Sequence, residues 1–306
     1  MNQPEWYERA ITETRKDAEV EVDGCQIHYA TWGETGKPGV VLIHGSNAHL
    51  EWWRFVAPYL AEHFRVAAID LSGNGDSGWR DNYNADLFAR EVMAVAEHAQ
   101  LGEKPFIAGH SFGGYIALET GSKYSCELGG VLFCDYVIPS AELFVQWGLR
   151  AAENGPARPT RIYPDIEEAL GRFRLLPEQP CQHPYVIDYI ARESLREVEG
   201  GWTWKFDPAM YDYLEISPDQ PDKLKAISCP VAFLLGEHSG DYDPGSISFT
   251  KQITEGKAPV YHIPSTYHHY MFDEPMAVFS AINGILLTWL TRSAQPTHRW
   301  EVKPAE

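Results

Sequence analysis

Continuous apolar runs and helix-spaced segments alternate through the first half of the chain. Residues 39–43, 65–71, 105–108 and 130–137 are short apolar runs without polar alternation, the mark of strands covered on both faces. Between them, residues 52–64, 85–99 and 115–124 carry helical spacing. Ahead of the series, residues 19–22 and 26–31 alternate about Asp23-Gly24 and predict a hairpin. Such strand–helix alternation predicts an α/β fold, a parallel sheet with helices on both faces.

The texture then changes. Residues 138–225 hold no apolar strand run and carry Pro156, Pro159, Pro164, Pro177, Pro180 and Pro184. Helix-like pieces fall near 141–153, 165–173 and 185–197, followed by the aromatic patch Trp202, Trp204 and Phe206. From Pro230 the alternation returns: strand 231–235, a helix within 246–254, strand 260–263, helix 275–290 and a polar tail 291–306. The expected organisation is one core, residues 1–137 and 226–306, with 138–225 inserted as a mainly helical lid.

Composition narrows the partners. With 25 Lys and Arg against 43 Asp and Glu, the formal charge is −18, which disfavours nucleic acid and anionic membranes. Five scattered cysteines (Cys25, Cys126, Cys134, Cys181, Cys229) show no metal-ligand spacing and read as reduced thiols. The N-terminus has no apolar signal core, and no apolar run approaches the ~20 residues of a membrane span. The expectation is a cytoplasmic protein acting on a small molecule, with no membrane partner.

Chemistry gathers at Gly109-His110-Ser111-Phe112-Gly113-Gly114, between a buried strand and a helix. Glycines there permit a sharp turn, and Ser111 at its tip sits at a helix N-terminus, where free N–H groups stabilise an anion. The bland alternative is a helix-capping serine. A general base is expected on a loop after a late strand, and His268 lies in such a loop. His110 reads as a packed core residue, and His269 is given no chemistry. His238, Asp241, Asp243 and His262 match no zinc or calcium spacing, so no metal and no cofactor is expected. Trp52 and Trp53 are candidates for a substrate pocket or, equally, for the core. Trp202, Trp204 and Phe206 are expected to pin the lid to the body.

A rival motif lies upstream. Gly73-Asn74-Gly75-Asp76-Ser77-Gly78 spells the dinucleotide fingerprint after a strand. Its context is wrong: Asp76 would face a pyrophosphate, and residues 79–84 read as loop rather than helix. A structural turn is preferred.

Taken together, the chain resembles the α/β-hydrolase superfamily, in particular its lid-bearing esterase and haloperoxidase-like branches. The matching pieces are His44-Gly45 after a strand, Asp70 to Ser77, the Ser111 elbow, and His268 with Asp273 and Pro275 behind it. In that pattern the histidine precedes the acidic residue by five positions and the proline by seven, which selects His268 over His269. The resemblance covers roughly residues 20–137 and 226–292. It implies a nucleophile at Ser111 and an oxyanion hole from the backbone N–H groups of Ser46 and Phe112. It also implies that dehalogenase and epoxide-hydrolase chemistry, which uses Asp at the elbow, is disfavoured.

One part departs from the family pattern. Most members carry an Asp three residues after the glycine that ends the strand here at Gly236, and this chain has Ser239. The acid orienting His268 is then Asp135, at the end of the strand after the elbow helix, or else Asp241, with Asp243 a further candidate. Asp135 is preferred because some branches place the acid there. The expected activity is a cofactor-free serine hydrolase acting on a carboxylic ester. Carbon–carbon hydrolysis, lactone opening and perhydrolysis are compatible with the same triad. A non-catalytic ligand-binding protein is the alternative of another class.

Overall fold

The computed structural model describes residues 3–154, 159–214 and 216–294. Helix α1 (Glu5–Thr12) precedes a hairpin of β1 (Lys16–Val22) and β2 (Cys25–Trp32). Val22 pairs with Cys25 across Asp23-Gly24, whose φ values of 47° and 77° are the two positive angles a tight primed turn needs. Four short strands follow: β3 (Gly39–Ile43), β4 (Arg65–Ile69), β5 (Phe106–His110) and β6 (Gly130–Cys134). Between and beyond them run α2 (Ala57–Leu60), α3 (Ala85–His98) and α4 (Phe112–Tyr124). Asn84 caps α3 by accepting from the Leu87 N–H.

Among the described residues from Val137 to Ile227, no strand joins the main sheet. This stretch holds α5 (Ala141–Asn154), α6 (Ile166–Leu170), α7 (Pro184–Glu193), a separate hairpin of β7 (Leu195–Val198) and β8 (Gly201–Trp204), α8 (Met210–Tyr213) and α9 (Gln220–Ala226). The sheet then resumes with β9 (Val231–Gly236) and β10 (Val260–Ile263), accompanied by α10 (Pro244–Ile253), α11 (Tyr270–Asp273) and α12 (Pro275–Ala294).

The eight main strands lie in the order β1-β2-β4-β3-β5-β6-β9-β10. Pairs β1–β2 and β2–β4 are antiparallel, and every other neighbouring pair is parallel. The α/β-hydrolase fold, a mostly parallel sheet covered on both faces, is therefore present. The continuous apolar runs follow from that cover. In β3, Val40 and Leu42 enter one apolar layer with Trp53, Phe64 and Leu286, while Val41 and Ile43 enter the other with Phe88, Leu118 and Phe233. Each fully buried side chain of this size contributes about 1.5–3 kcal/mol.

Three expectations need correction. Residues 52–64 do not form one helix; they form a 3₁₀ turn at Leu50–Trp53 and the single-turn α2. Pro58 lacks the N–H a continuous helix would donate to the carbonyl four residues back, and positions 51–60 are all buried, leaving no polar face. The stretch 185–197 ends as a helix at Glu193, and the chain turns into β7 and β8 through Gly200-Gly201, both at positive φ. The inserted stretch therefore contains a hairpin as well as helices. The polar tail begins later than residue 291, because α12 continues to Ala294; its remainder lies outside the described residues.

Among the described residues, the aromatic patch pins the inserted stretch to the body only at Phe206; Trp202 and Trp204 pack within the inserted stretch itself. Trp202 exchanges two 2.8 Å backbone hydrogen bonds with Tyr163, and with Trp204 it packs on a small cluster of Tyr163, Ala169 and Leu195. Phe206 bridges to Asn74. The Gly73–Gly78 loop receives this segment: Lys205 accepts from the Gly75 N–H, and the Asp207 N–H donates to Gly73. No helix opens on its last glycine, since α3 begins at Ala85, so the dinucleotide reading fails on structure as well.

Candidate functional site

Strand β5 runs into α4 through one strained residue. Ser111 has φ 53° and ψ −119°, a conformation that non-glycine residues adopt only when the surroundings impose it. Its N–H is held by the Cys134 carbonyl at 2.9 Å. Glycines make the turn sterically possible: a Cβ at Gly109 would lie 2.0 Å from the Gly113 carbonyl oxygen, and one at Gly113 would lie 2.5 Å from that of His44. Ser111 occupies the N-cap position of α4, yet its side chain makes no capping hydrogen bond. Ser111 instead lines two cavities, of about 270 and 140 Å³.

His268 lines the larger cavity with Ser111, in the loop between β10 and α11. Its Nδ1 lies 2.6 Å from Asp135 Oδ2 and 3.8 Å from Asp241 Oδ2. Asp135 follows β6 directly, at φ 49°, and is buried. Its Oδ1 accepts the Gly236 N–H at 2.7 Å, and its Oδ2 accepts the Ser239 hydroxyl at 2.6 Å. Burial pushes the His268 pKa down, but the hydrogen bond and charge of Asp135, with Asp241 behind, outweigh it and raise the value above the usual 6.5. Asp243 is committed elsewhere: it caps α10 through the Ser246 N–H, and the Ser140 hydroxyl donates to it. Asp241 stands half-exposed at the mouth of both cavities.

Ser46, just past β3, lines both cavities, and Phe112 lines the smaller. Phe112 is the first residue of α4, so its N–H has no acceptor within the helix. The two tryptophans separate. Trp52 walls the larger cavity, its ring 5.0 Å from that of His269 and 4.9 Å from Phe272. Trp53 is fully buried in the core layer and lines neither cavity, because the 3₁₀ turn points it inward.

Several residues at the site went unread in the sequence. Leu176 and Pro177 cover the larger cavity, and Tyr211 and Ile216 the smaller. Gln179 fastens the first pair in place. Its Oε1 accepts the His269 N–H at 2.7 Å, and its Nε2 donates to both carboxylate oxygens of Asp273. Asp273 also accepts the Tyr267 N–H, and burial nevertheless pushes its carboxyl up to about 6. His110 is buried as expected, but its ring also faces the larger cavity.

Metal-capable clusters occur twice among the described residues: His110 with His268 and His269, and His28 with Asp70 and Asp76. The second is already engaged. Asp70 accepts from the Leu50 and Asp76 N–H groups and pairs with His28 Nδ1, tying the segment after β3 to the 73–78 loop.

The model of the alpha/beta hydrolase family matches residues 40–282. An esterase of Mycobacterium tuberculosis, Rv0045c, is 26% identical over 278 residues, covering 87% of this chain and 88% of that protein. Human epoxide hydrolase 4 is 32% identical over 287 residues, covering 87% and 76%. Among solved structures, the thioesterase domain from the curacin biosynthetic pathway superposes with a TM-score of 0.73 at 22% identity, over 90% of this chain and 100% of that one. The chain belongs to the alpha/beta hydrolase family.

Proposed function

We propose that this protein is a serine hydrolase that cleaves a carboxylic ester of a small or medium organic molecule through an acyl-enzyme. The observation that carries the reading is the 2.6 Å contact between His268 Nδ1 and Asp135, in a loop whose histidine shares one cavity with the strained Ser111. Asp135 holds the ring with Nδ1 protonated, which leaves Nε2 free to take the Ser111 proton. Ser111 attacks the carbonyl carbon. The N–H groups of Ser46 and Phe112 receive the oxyanion, each such donor contributing roughly 3 kcal/mol of transition-state stabilisation. His268 then gives its proton to the departing alcohol, and water, activated by the same imidazole, releases the acid.

Residues 138–225 act as the lid over this site. Leu176, Pro177, Tyr211 and Ile216 come from that stretch and wall the cavities, which supports the assignment. The relatives include both an esterase and an epoxide hydrolase. A serine at the elbow favours the first, since the resemblance reserves epoxide opening for an elbow Asp. Free cysteines and the acidic composition fit a cytoplasmic setting. The test is a panel of p-nitrophenyl esters of graded acyl length, with Ser111→Ala as control. Turnover of short or medium esters that Ser111→Ala abolishes is expected; no turnover on any ester overturns the ester reading in favour of carbon–carbon or lactone cleavage.

A further inference from the structure

Three imidazoles converge in the crevice beside Ser111. His110, His268 and His269 each offer a ring nitrogen, and these nitrogens all lie within 4.8 Å of one another. All three rings are buried, and all three line the larger cavity, so an ion entering from the mouth meets them together. Ring centroids are 4.8 Å apart for His110–His268 and for His268–His269, and 5.7 Å for His110–His269.

Hydrogen bonding fixes which nitrogens are available. His110 Nε2 approaches the His268 carbonyl at 2.9 Å, and a carbonyl only accepts, so the ring proton sits on Nε2. His110 Nδ1 therefore carries a lone pair, and it is buried without a partner. His269 faces the backbone of Leu176 and Pro177 without a hydrogen bond of good geometry at either nitrogen. His268 has its Nδ1 engaged by Asp135, which leaves Nε2 as the ring nitrogen it can offer to an ion. A carboxylate behind a histidine is also the usual support of a metal-ligating imidazole, because it fixes the tautomer and raises the basicity of the far nitrogen.

We infer that His110, His268 and His269 form a binding site for one borderline-soft divalent cation, Zn²⁺ or Cu²⁺, whose occupation closes the crevice. Imidazole nitrogen suits these ions and not Mg²⁺ or Ca²⁺, which take oxygen. Metal–nitrogen bonds near 2.0–2.1 Å place ligand nitrogens about 3.4 Å apart in a tetrahedron, so the ion draws the rings inward by on the order of 1 Å. Asp135 and the half-exposed Asp241 offset its charge. The fourth position opens on the cavity and takes water. Occupation removes Nε2 of His268 as a base, which makes the ion a reversible inhibitor.

The test reads metal binding rather than turnover, so it stands apart from the ester-hydrolase reading. Wild-type protein and Ser111→Ala are titrated with Co²⁺, followed by visible absorption, and the Co²⁺ is then displaced by Zn²⁺. One Co²⁺ per chain is expected in both proteins, with the intense bands of a four- or five-coordinate site. His269→Phe retains the ring that packs against Trp52 and Phe272 and loses the ligand; binding should weaken by on the order of tenfold or more. His269→Gln serves if the first variant does not fold, and His28→Gln, in the other cluster, should bind as wild type does. Absence of saturable binding at micromolar metal, unchanged affinity in the His269 variant, or loss of binding in His28→Gln overturns the inference.

Discussion

The Ser239 hydroxyl donates a 2.6 Å hydrogen bond to Asp135 Oδ2, the same oxygen that His268 Nδ1 engages. Ser239 stands where most relatives by pattern carry the acid itself. On the proposed reading the acid is instead Asp135, at the end of β6, and Ser239 supplies it with a donor. The Gly236 N–H holds the other oxygen. Asp135 thus keeps its orientation through contacts from two neighbouring strands' ends.

This relationship separates the candidate acids. Asp135→Asn should reduce kcat by about 10⁴-fold, because an amide in that position favours the wrong histidine tautomer. Asp241→Asn, with its carboxylate 3.8 Å away and half-exposed, should cost less than about tenfold by the same criterion. Steady-state kinetics at equal folded fraction checks both. A large loss in Asp241→Asn with a silent Asp135→Asn reverses the assignment.

The pH profile gives a second handle on Asp241. His268 must be neutral to accept a proton, and its pKa is raised above 6.5 by Asp135 and Asp241 against the effect of burial. Activity therefore falls as pH drops through that raised value, and the acid limb of kcat/KM should lie above the ordinary histidine range. Removing the Asp241 charge takes away one raising influence, so Asp241→Asn should move the limb to lower pH. A limb that stays put or moves upward contradicts this.

Ser239→Ala removes a hydrogen bond to a buried carboxylate, an interaction that typically contributes about 1.5–3 kcal/mol. Asp135 keeps its contacts with Gly236 and His268, so the expected loss in kcat is on the order of tenfold or somewhat more. Tm should fall as well. Ser239→Thr, which retains the hydroxyl, should recover most of both.

Trp52 and Trp53 are adjacent in sequence and opposite in role. Trp53→Ala should cost about 3–5 kcal/mol of stability, the range for a large aromatic removed from a packed core. Whatever protein remains folded should show a KM close to wild type. Trp52→Ala opens the wall of the larger cavity and should shift acyl-length preference and KM. Denaturant melts alongside ester kinetics distinguish the two; equal effects on KM would place both in the pocket.

How much of this was legible before the structure depended on how local each determinant is. Strands β3 to β6 announce themselves as apolar runs, because burial on both faces leaves no position for a polar side chain. The Ser111 elbow is spelled by glycines at the positions where a Cβ would strike backbone. Asp135 required a choice that sequence alone left open, since its partners Gly236 and Ser239 lie a hundred residues away in the chain and beside it only in the sheet. The β7–β8 hairpin was hidden for a related reason: its four-residue strands are mixed in polarity, and Trp202 is fixed by pairing with the distant Tyr163. Gln179 carries no motif at all. Its role exists only because residues 176–180 fold over the His268 loop.

The central claim is that Ser111 is an activated nucleophile, and covalent labelling tests it most directly. Folded protein is treated with a serine-directed fluorophosphonate, and the site of modification is read by peptide mass spectrometry. A single adduct on Ser111, absent in Ser111→Ala and strongly slowed in Asp135→Asn, is the predicted result. A folded wild-type protein that forms no adduct at Ser111 would contradict the account and turn the reading toward a ligand-binding protein that retains the fold without the chemistry.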